Sequence, residues 1–239
     1  MKIKLLLASF IMAFLNISCV FGDKKVSEEQ IQEWIQAGDQ YHRGQYYSVA
    51  FGWYEKAAKA GSAIGQRRVG MMYAGGIGVK QDYGKAFKWL MKAANQEDAD
   101  AQDALGQIYL GEKDYSEAIK WWRKAAEQGH AEAQYNLAVM YNNGEGVERN
   151  FEEAFKWHLK AAEQGVVDAQ INVAESYESG VGVEPNSEMA FKWYLEAAKA
   201  GSAEGQAKVA YMYEEGIGVE KDHDAAIYWI KLYEKNENK

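Results

Sequence analysis

Six tryptophans stand at one equivalent place in this chain: Trp53, Trp89, Trp121, Trp157, Trp193 and Trp229, spaced by 36, 32, 36, 36 and 36 residues. A tyrosine keeps step with them at Tyr41, Tyr73, Tyr109, Tyr141, Tyr177 and Tyr213. An Ala-Ala pair follows the first five tryptophans at a constant interval, from Ala57-Ala58 to Ala197-Ala198. Self-similarity at this period predicts stacked supersecondary units rather than a single closed core. Stability then accrues unit by unit, each unit touching only its neighbours.

The stretch from His130 to Gly165 shows what one unit is. Ala133, Leu137, Ala138 and Tyr141 fall on one face at helical spacing. A Gly144-Glu145-Gly146-Val147 turn follows, where glycine permits the positive φ that a helix exit requires. Phe151, Ala154, Phe155, Trp157, Ala161 and Ala162 then resume the helical pattern until Gly165. The unit is an αα-hairpin, and the single proline, Pro185, suits a chain that is helical throughout. The reading predicts an all-α solenoid of six units: 30–61, 62–97, 98–129, 130–165, 166–201 and 202–237. Residues 23–29 form a lead-in, with Ser27 and Gln30 as a capping box, and 238–239 a tail. Alanine pairs would let helices approach closely, while each repeat Trp would anchor a layer, at a truncation cost of about 3–5 kcal/mol. In 30–61 and 98–129 the Tyr-to-Trp distance falls from 16 to 12. That deletion belongs in the loop, because losing four helical residues would rotate the packing face.

The pattern A-x-A-x-x-x-L-G/A-x-x-Y-x-x-G-x-G-V, followed by K/E-A-x-x-W-x-x-K-A-A-x-x-G, resembles the Sel1-like repeat, a relative of the tetratricopeptide repeat. The match runs from residue 30 to about 235. The resemblance implies a right-handed α-solenoid acting as an adaptor or scaffold for protein assembly, often in exported bacterial proteins. Tyr233 and Glu234 depart from it by replacing the last Ala-Ala pair, as a terminal cap would. The regularly spaced cysteines of a cysteine-rich secreted branch are missing, so the cell-wall or β-lactam hydrolase activity which that branch suggests is not carried over.

Ahead of the repeats, Lys2 and Lys4 precede an apolar run from Leu5 to Leu15. Eleven residues are too few to cross a bilayer, so residues 1–22 read as a cleaved secretory signal releasing Asp23. The alternative is a lipoprotein signal ending before Cys19, although Asn16 stands where a lipobox wants leucine. Either route places the body in the bacterial periplasm or anchored to the envelope, with no integral span after cleavage. The formal charge of −8 argues against nucleic acid and anionic membrane as partners, since both demand basic patches.

Nothing in the sequence indicates catalysis. The Gly76/Gly78, Gly144/Gly146, Gly180/Gly182 and Gly216/Gly218 pairs lie between helices and recur, so they are structural turns and not phosphate cradles. His42, His130, His158 and His223 occupy four different repeat positions, without HExxH or CxxC spacing. No catalytic, cofactor or metal residue is assigned. Lys88/Lys92, Lys120/Lys124 and Lys156/Lys160 read as a solvated outer face whose stems cover aromatic rings.

Binding residues should instead vary between repeats while the packing frame stays constant. In tetratricopeptide-like solenoids the first helices line the concave wall. Positions six and two before the repeat Tyr, and one after it, therefore mark a groove. They are Arg67 and Met71, then Asp103 and Gln107, then Tyr135, Val139 and Asn142, then Ile171, Glu175 and Glu178, then Tyr211 and Glu214. Tyr135, Tyr211 and Arg67 are the anchor types enriched in interfaces. The expectation is a non-enzymatic scaffold binding a protein or peptide. A narrower version is a periplasmic immunity or inhibitor protein against a delivered toxin. Apolar residues near the C-terminal end also raise homodimerisation through that end.

Overall fold

The structure, a computed structural model, describes residues 26–237. The expected leader over 1–22, Cys19 with it, and the tail at 238–239 lie outside the described residues. All described secondary structure is α-helical. Of the described residues, those up to Gln81 form one compact unit and those from Asp82 another.

The first unit holds α1 (Glu28–Arg43), α2 (Tyr47–Lys59) and α3 (Ala63–Gly75), with α1 packed on α2 and α2 on α3. The second holds α4 (Tyr83–Ala94), α5 (Ala99–Gly111), α6 (Tyr115–Glu127), α7 (Ala131–Asn143) and α8 (Phe151–Glu163). It continues with α9 (Val167–Ser179), α10 (Ser187–Lys199), α11 (Ala203–Glu215) and α12 (His223–Glu237). Each of these packs on the next in chain order, as in an α-solenoid.

Local chemistry sets the helix starts. Asp82, Asp98, Asp114, Asn150, Asn186 and Ser202 each accept a hydrogen bond from the backbone N–H three residues on. His130 does the same through Nδ1, 3.1 Å from the Ala133 amide. Ser27 caps α1 through the Gln30 amide, but the Gln30 side chain turns to Glu33, so only half of the expected capping box forms.

The loops explain the two repeat lengths. Helices α5 and α6 are each 13 residues long, like α7 and α8, so the four missing residues do fall in the loop. In the long loops the first glycine caps a helix in the left-handed region, as Gly180 does at φ 74°. The second is required twice over. Gly182 also has positive φ, and a Cβ there would lie 2.3 Å from the Phe151 carbonyl oxygen at the start of α8. The short loops turn on Gln45 and Lys113, both left-handed without being glycine.

The Ala-Ala pairs are buried at the helix contacts, as expected. Beside them runs a ladder that the sequence reading did not foresee. Gln66, Gln102, Gln134, Gln170 and Gln206 are buried, and each Nε2 donates to the carbonyl of the second alanine of the preceding pair at 3.0–3.3 Å. Those carbonyls sit in the last turn of a helix, where each also accepts the backbone N–H three residues on, so the glutamine supplies a second donor. The repeat tyrosines are the second link. Tyr109, Tyr177 and Tyr213 stand edge-on to Phe87, Phe155 and Phe191 of the preceding helix, at 5.1–5.9 Å.

Candidate protein-binding face

Within residues 82–237 the first helices of successive hairpins, α5, α7, α9 and α11, meet through polar side chains. Asn136 donates to Asp103 at 3.3 Å, and Lys208 pairs with Glu178 at 2.8 Å. On this face Gln107, Asn142, Glu175 and Glu178 are exposed, and Tyr211 is 56% exposed. Val139 and Glu214 are half-buried. Three of the sequence-predicted residues sit deeper than a surface role requires. Ile171 is packed into the core beside Tyr194, and Asp103 is buried against Asn136 and Gln107. Tyr135 is half-buried against Phe155 and lies 5.7 Å from the His158 ring. In the first unit Met71 is exposed and Arg67 half-buried, while Arg68 is drawn to Asp39 at 3.4 Å.

The floor of this face is built by a position that sequence reasoning passed over, the residue directly after the repeat Trp. Leu90, Trp122, His158 and Tyr194 occupy it and are at most 4% exposed. The repeat tryptophans beside them are half-buried, Trp121 excepted, and so are not the deepest anchors that the periodicity suggested. Tyr, Leu, Trp and His share no obvious class, which is why the position escaped notice. Only its constant offset from the Trp could have given it away.

Two neighbouring repeats use this position differently. The Tyr194 hydroxyl donates to Glu178 at 2.6 Å, and the Lys208 ammonium pairs with the same carboxylate while lying 5.3 Å from the ring centroid. Burial and the Glu178 charge push the Tyr194 hydroxyl well above the usual phenol range, so it stays protonated. One repeat earlier the equivalent residues are His158, Asn142 and Asn172. The smaller side chains leave a cavity of about 180 Å³, also lined by Glu175, Ser176, Ser179 and Val181. His158 Nε2 is buried there without a hydrogen-bond partner, and burial lowers the ring's pKa to about 4, so it is neutral at pH 7.

The charge on this face is largely compensated. Glu178 is held by Lys208 and Glu214 by His223 at 2.7 Å. Glu175 has no ion pair among the described residues, and burial with Glu204 and Glu178 nearby raises its pKa. The outer lysines behave as the sequence implied. Lys92, Lys124 and Lys160 lie 4.0–4.6 Å over Trp89, Trp121 and Trp157, and Lys156 pairs with Glu153. No group of three or more His, Cys, Asp or Glu side chains among the described residues could hold a metal ion. No helix among them is long and apolar enough to cross a membrane.

The sequence that builds these loops and this ladder matches a family model, the Sel1 repeat. It covers residues 41–62, 63–98, 99–130, 131–166, 167–202 and 203–232. The chain belongs to the Sel1 repeat family. Among solved structures it is similar to a Sel1 repeat protein from Oxalobacter formigenes, at 32% identity and a TM-score of 0.78, over 84% of this chain and 85% of that one. It is also similar to c5321, a protective antigen of uropathogenic Escherichia coli strains, at 32% identity and a TM-score of 0.81. That match covers 88% of this chain but spans about half (49%) of the antigen. The immunity protein Pa5087 from Pseudomonas aeruginosa, at 18% identity and a TM-score of 0.50 over 84% of this chain and 82% of that one, shares the fold alone. No curated protein matches. Sel1 repeats are typical of protein–protein interaction scaffolds, and a protein partner is what the family suggests for this chain. In Sel1 terms, the buried Gln ladder is the seam between repeats, and the residue after each Trp is the floor of the first-helix face.

Proposed function

We propose that this Sel1 repeat protein is a non-enzymatic scaffold of the bacterial cell envelope which binds a protein or peptide partner on its first-helix face. The observation that carries the reading is the contrast between its two faces. Trp89, Trp121 and Trp157 on the outer face are each covered by a lysine ammonium, whereas the first-helix face presents an exposed Tyr211, a Glu175 outside any ion pair among the described residues and a cavity beside a buried imidazole. Exposed aromatics beside desolvated polar pockets are the usual ingredients of a binding hot spot. The basic, apolar stretch from Lys2 to Leu15 supports export.

A photo-crosslinking side chain placed at Gln107 or Tyr211 should trap the partner in envelope preparations, while the same group at Lys120 or Lys156 should not. The opposite pattern would put the binding surface on the outer face. Tyr211→Ala should weaken the partner by about 1–2 kcal/mol while changing stability by less than about 0.5 kcal/mol. Tyr135 cannot serve as that test, because its half-buried ring packs on the core. The mature N-terminus decides the export route: Asp23 for a soluble protein, a lipidated Cys19 for an anchored one. A narrower version, immunity to a delivered toxin, uses the same face and predicts that the chain rescues cells exposed to that toxin only when it is exported.

A further inference from the structure

We infer that the cavity between α7, α8 and α9 is a subsite for a single basic side chain, lysine or arginine, presented by the partner protein. The inference rests on the scaffold reading above and gives the partner's chemistry at one point.

Size is the first constraint. At about 180 Å³ the cavity has room for about six waters and falls below the usual range for small-molecule pockets. It suits one side chain.

Hydrogen-bond polarity is the second. The Ser176 hydroxyl donates to the Asn172 carbonyl at 2.8 Å, and the Ser179 hydroxyl donates to the Glu175 carbonyl at 2.7 Å. Both hydrogens are thereby committed, and only oxygen lone pairs remain. Asn142 and Asn172 each bring an amide whose oxygen is a further acceptor. Glu175 brings a carboxylate without an ion-pair partner among the described residues. At the base, His158 is 4% exposed and its Nε2 has no partner. The serine oxygens, the asparagine amide oxygens and the Glu175 carboxylate are all acceptors to which an ammonium or a guanidinium can donate.

The neighbouring repeat supplies the third constraint. There Lys208 places its own ammonium between Tyr194 and Glu178, 2.8 Å from the carboxylate. The residue equivalent to Lys208 in the preceding repeat is Asn172, which is too short and carries no charge. Both members of that ion pair are replaced by asparagine here, Glu178 by Asn142 and Lys208 by Asn172, while Glu175 adds a carboxylate and no lysine or arginine lines the recess, so an incoming basic side chain pairs with Glu175.

The test is a titration of the full chain with Nα-acetyl-lysine methylamide and Nα-acetyl-arginine methylamide, with Nα-acetyl-norleucine methylamide as the neutral control. The readout is the imidazole nitrogen and Asn side-chain signals in NMR. Saturable shifts at His158, Asn142 and Asn172 with a basic probe, and none with the control, are the expected result. Glu175→Gln should weaken the probe about threefold to fivefold. Asn172→Lys, which copies Lys208, should fill the recess and abolish binding in a protein that still melts cooperatively. The proposal is overturned if all three probes leave His158 silent. It is equally overturned if Asn172→Lys binds like the parent, or if spermidine shifts these signals and the capped residues do not. A silent cavity with intact crosslinks at Tyr211 rejects this subsite alone. Loss of crosslinking from the whole first-helix face rejects the scaffold reading, whatever the probes do.

Discussion

The repeats at 131–166 and 167–202 have the same helices, loops and length, yet one is closed where the other is open. In the later repeat Tyr194 of α10 is fully buried, and its hydroxyl ends on a carboxylate that also holds Lys208. In the earlier one His158 starts from the equivalent place on α8, is shorter, and leaves its Nε2 unpaired beneath a cavity. The seams differ in the opposite sense. Gln164 donates to the buried Gln134 oxygen at 2.8 Å in the earlier repeat, whereas the equivalent Ala200 leaves the Gln170 oxygen without a partner. A repeat frame tolerates such exchanges because each layer is packed locally. An incomplete polar site in one repeat does not propagate to the next.

Filling or emptying the closed repeat should have the largest effect. Tyr194→Ala removes a fully buried ring and orphans its place beside Glu178, and should cost about 3–5 kcal/mol in urea unfolding. His158→Ala should cost less, because that site is already partly empty. Equal losses would mean that the cavity contributes nothing to the difference between the repeats.

Next in size is a pH effect confined to the open repeat. The folded pKa of His158, about 4, lies below its unfolded value near 6.5, so below pH 6.5 the unfolded chain binds the extra proton. The stability His158 permits is therefore complete above pH 6.5. It should fall by about 3 kcal/mol as the pH drops through the window to 4. His158→Leu, which copies the buried Leu90, should remove this part of the slope. Tyr194 stays protonated across the window and should add none. An unchanged slope in the leucine variant would show that His158 titrates normally.

Smaller again is the seam. Ala200→Gln should raise stability by about 1 kcal/mol by giving the buried Gln170 oxygen a donor. The gain should disappear in a Gln170→Ala background, as a double-mutant cycle would show. The smallest effect concerns the outer face. Lys160 covers Trp157 at 4.0 Å, while the equivalent residue over Trp193 is Glu196, paired with Lys199. Lys160→Gln should cost about 0.5–1 kcal/mol, and Glu196→Gln should be close to neutral.

The spacing of Trp, Tyr and Ala-Ala by itself determined the all-α class, the hairpin unit, the Sel1 family and the placement of the short-repeat deletion in a loop. Those features follow from chain-local rules: helical periodicity, glycine at positive φ, and small residues where helices touch. The seam was half legible. Five glutamines stand in register, but a polar residue in a helix reads as solvated until its carbonyl partner eight residues earlier is seen. The face was less legible still. Counting from the repeat Tyr marked Tyr211, Glu175, Gln107 and Asn142 as exposed, yet it also marked Ile171 and Asp103, which the structure buries. A helix face is defined by what packs on it, and Ile171 meets a hairpin partner in α10 that no period along its own helix reveals. The open recess was beyond the sequence altogether. It arises because His158 on α8, Asn142 on α7 and Asn172 on α9 are each smaller than Tyr194, Glu178 and Lys208. Only tertiary packing brings three such shortfalls to one place.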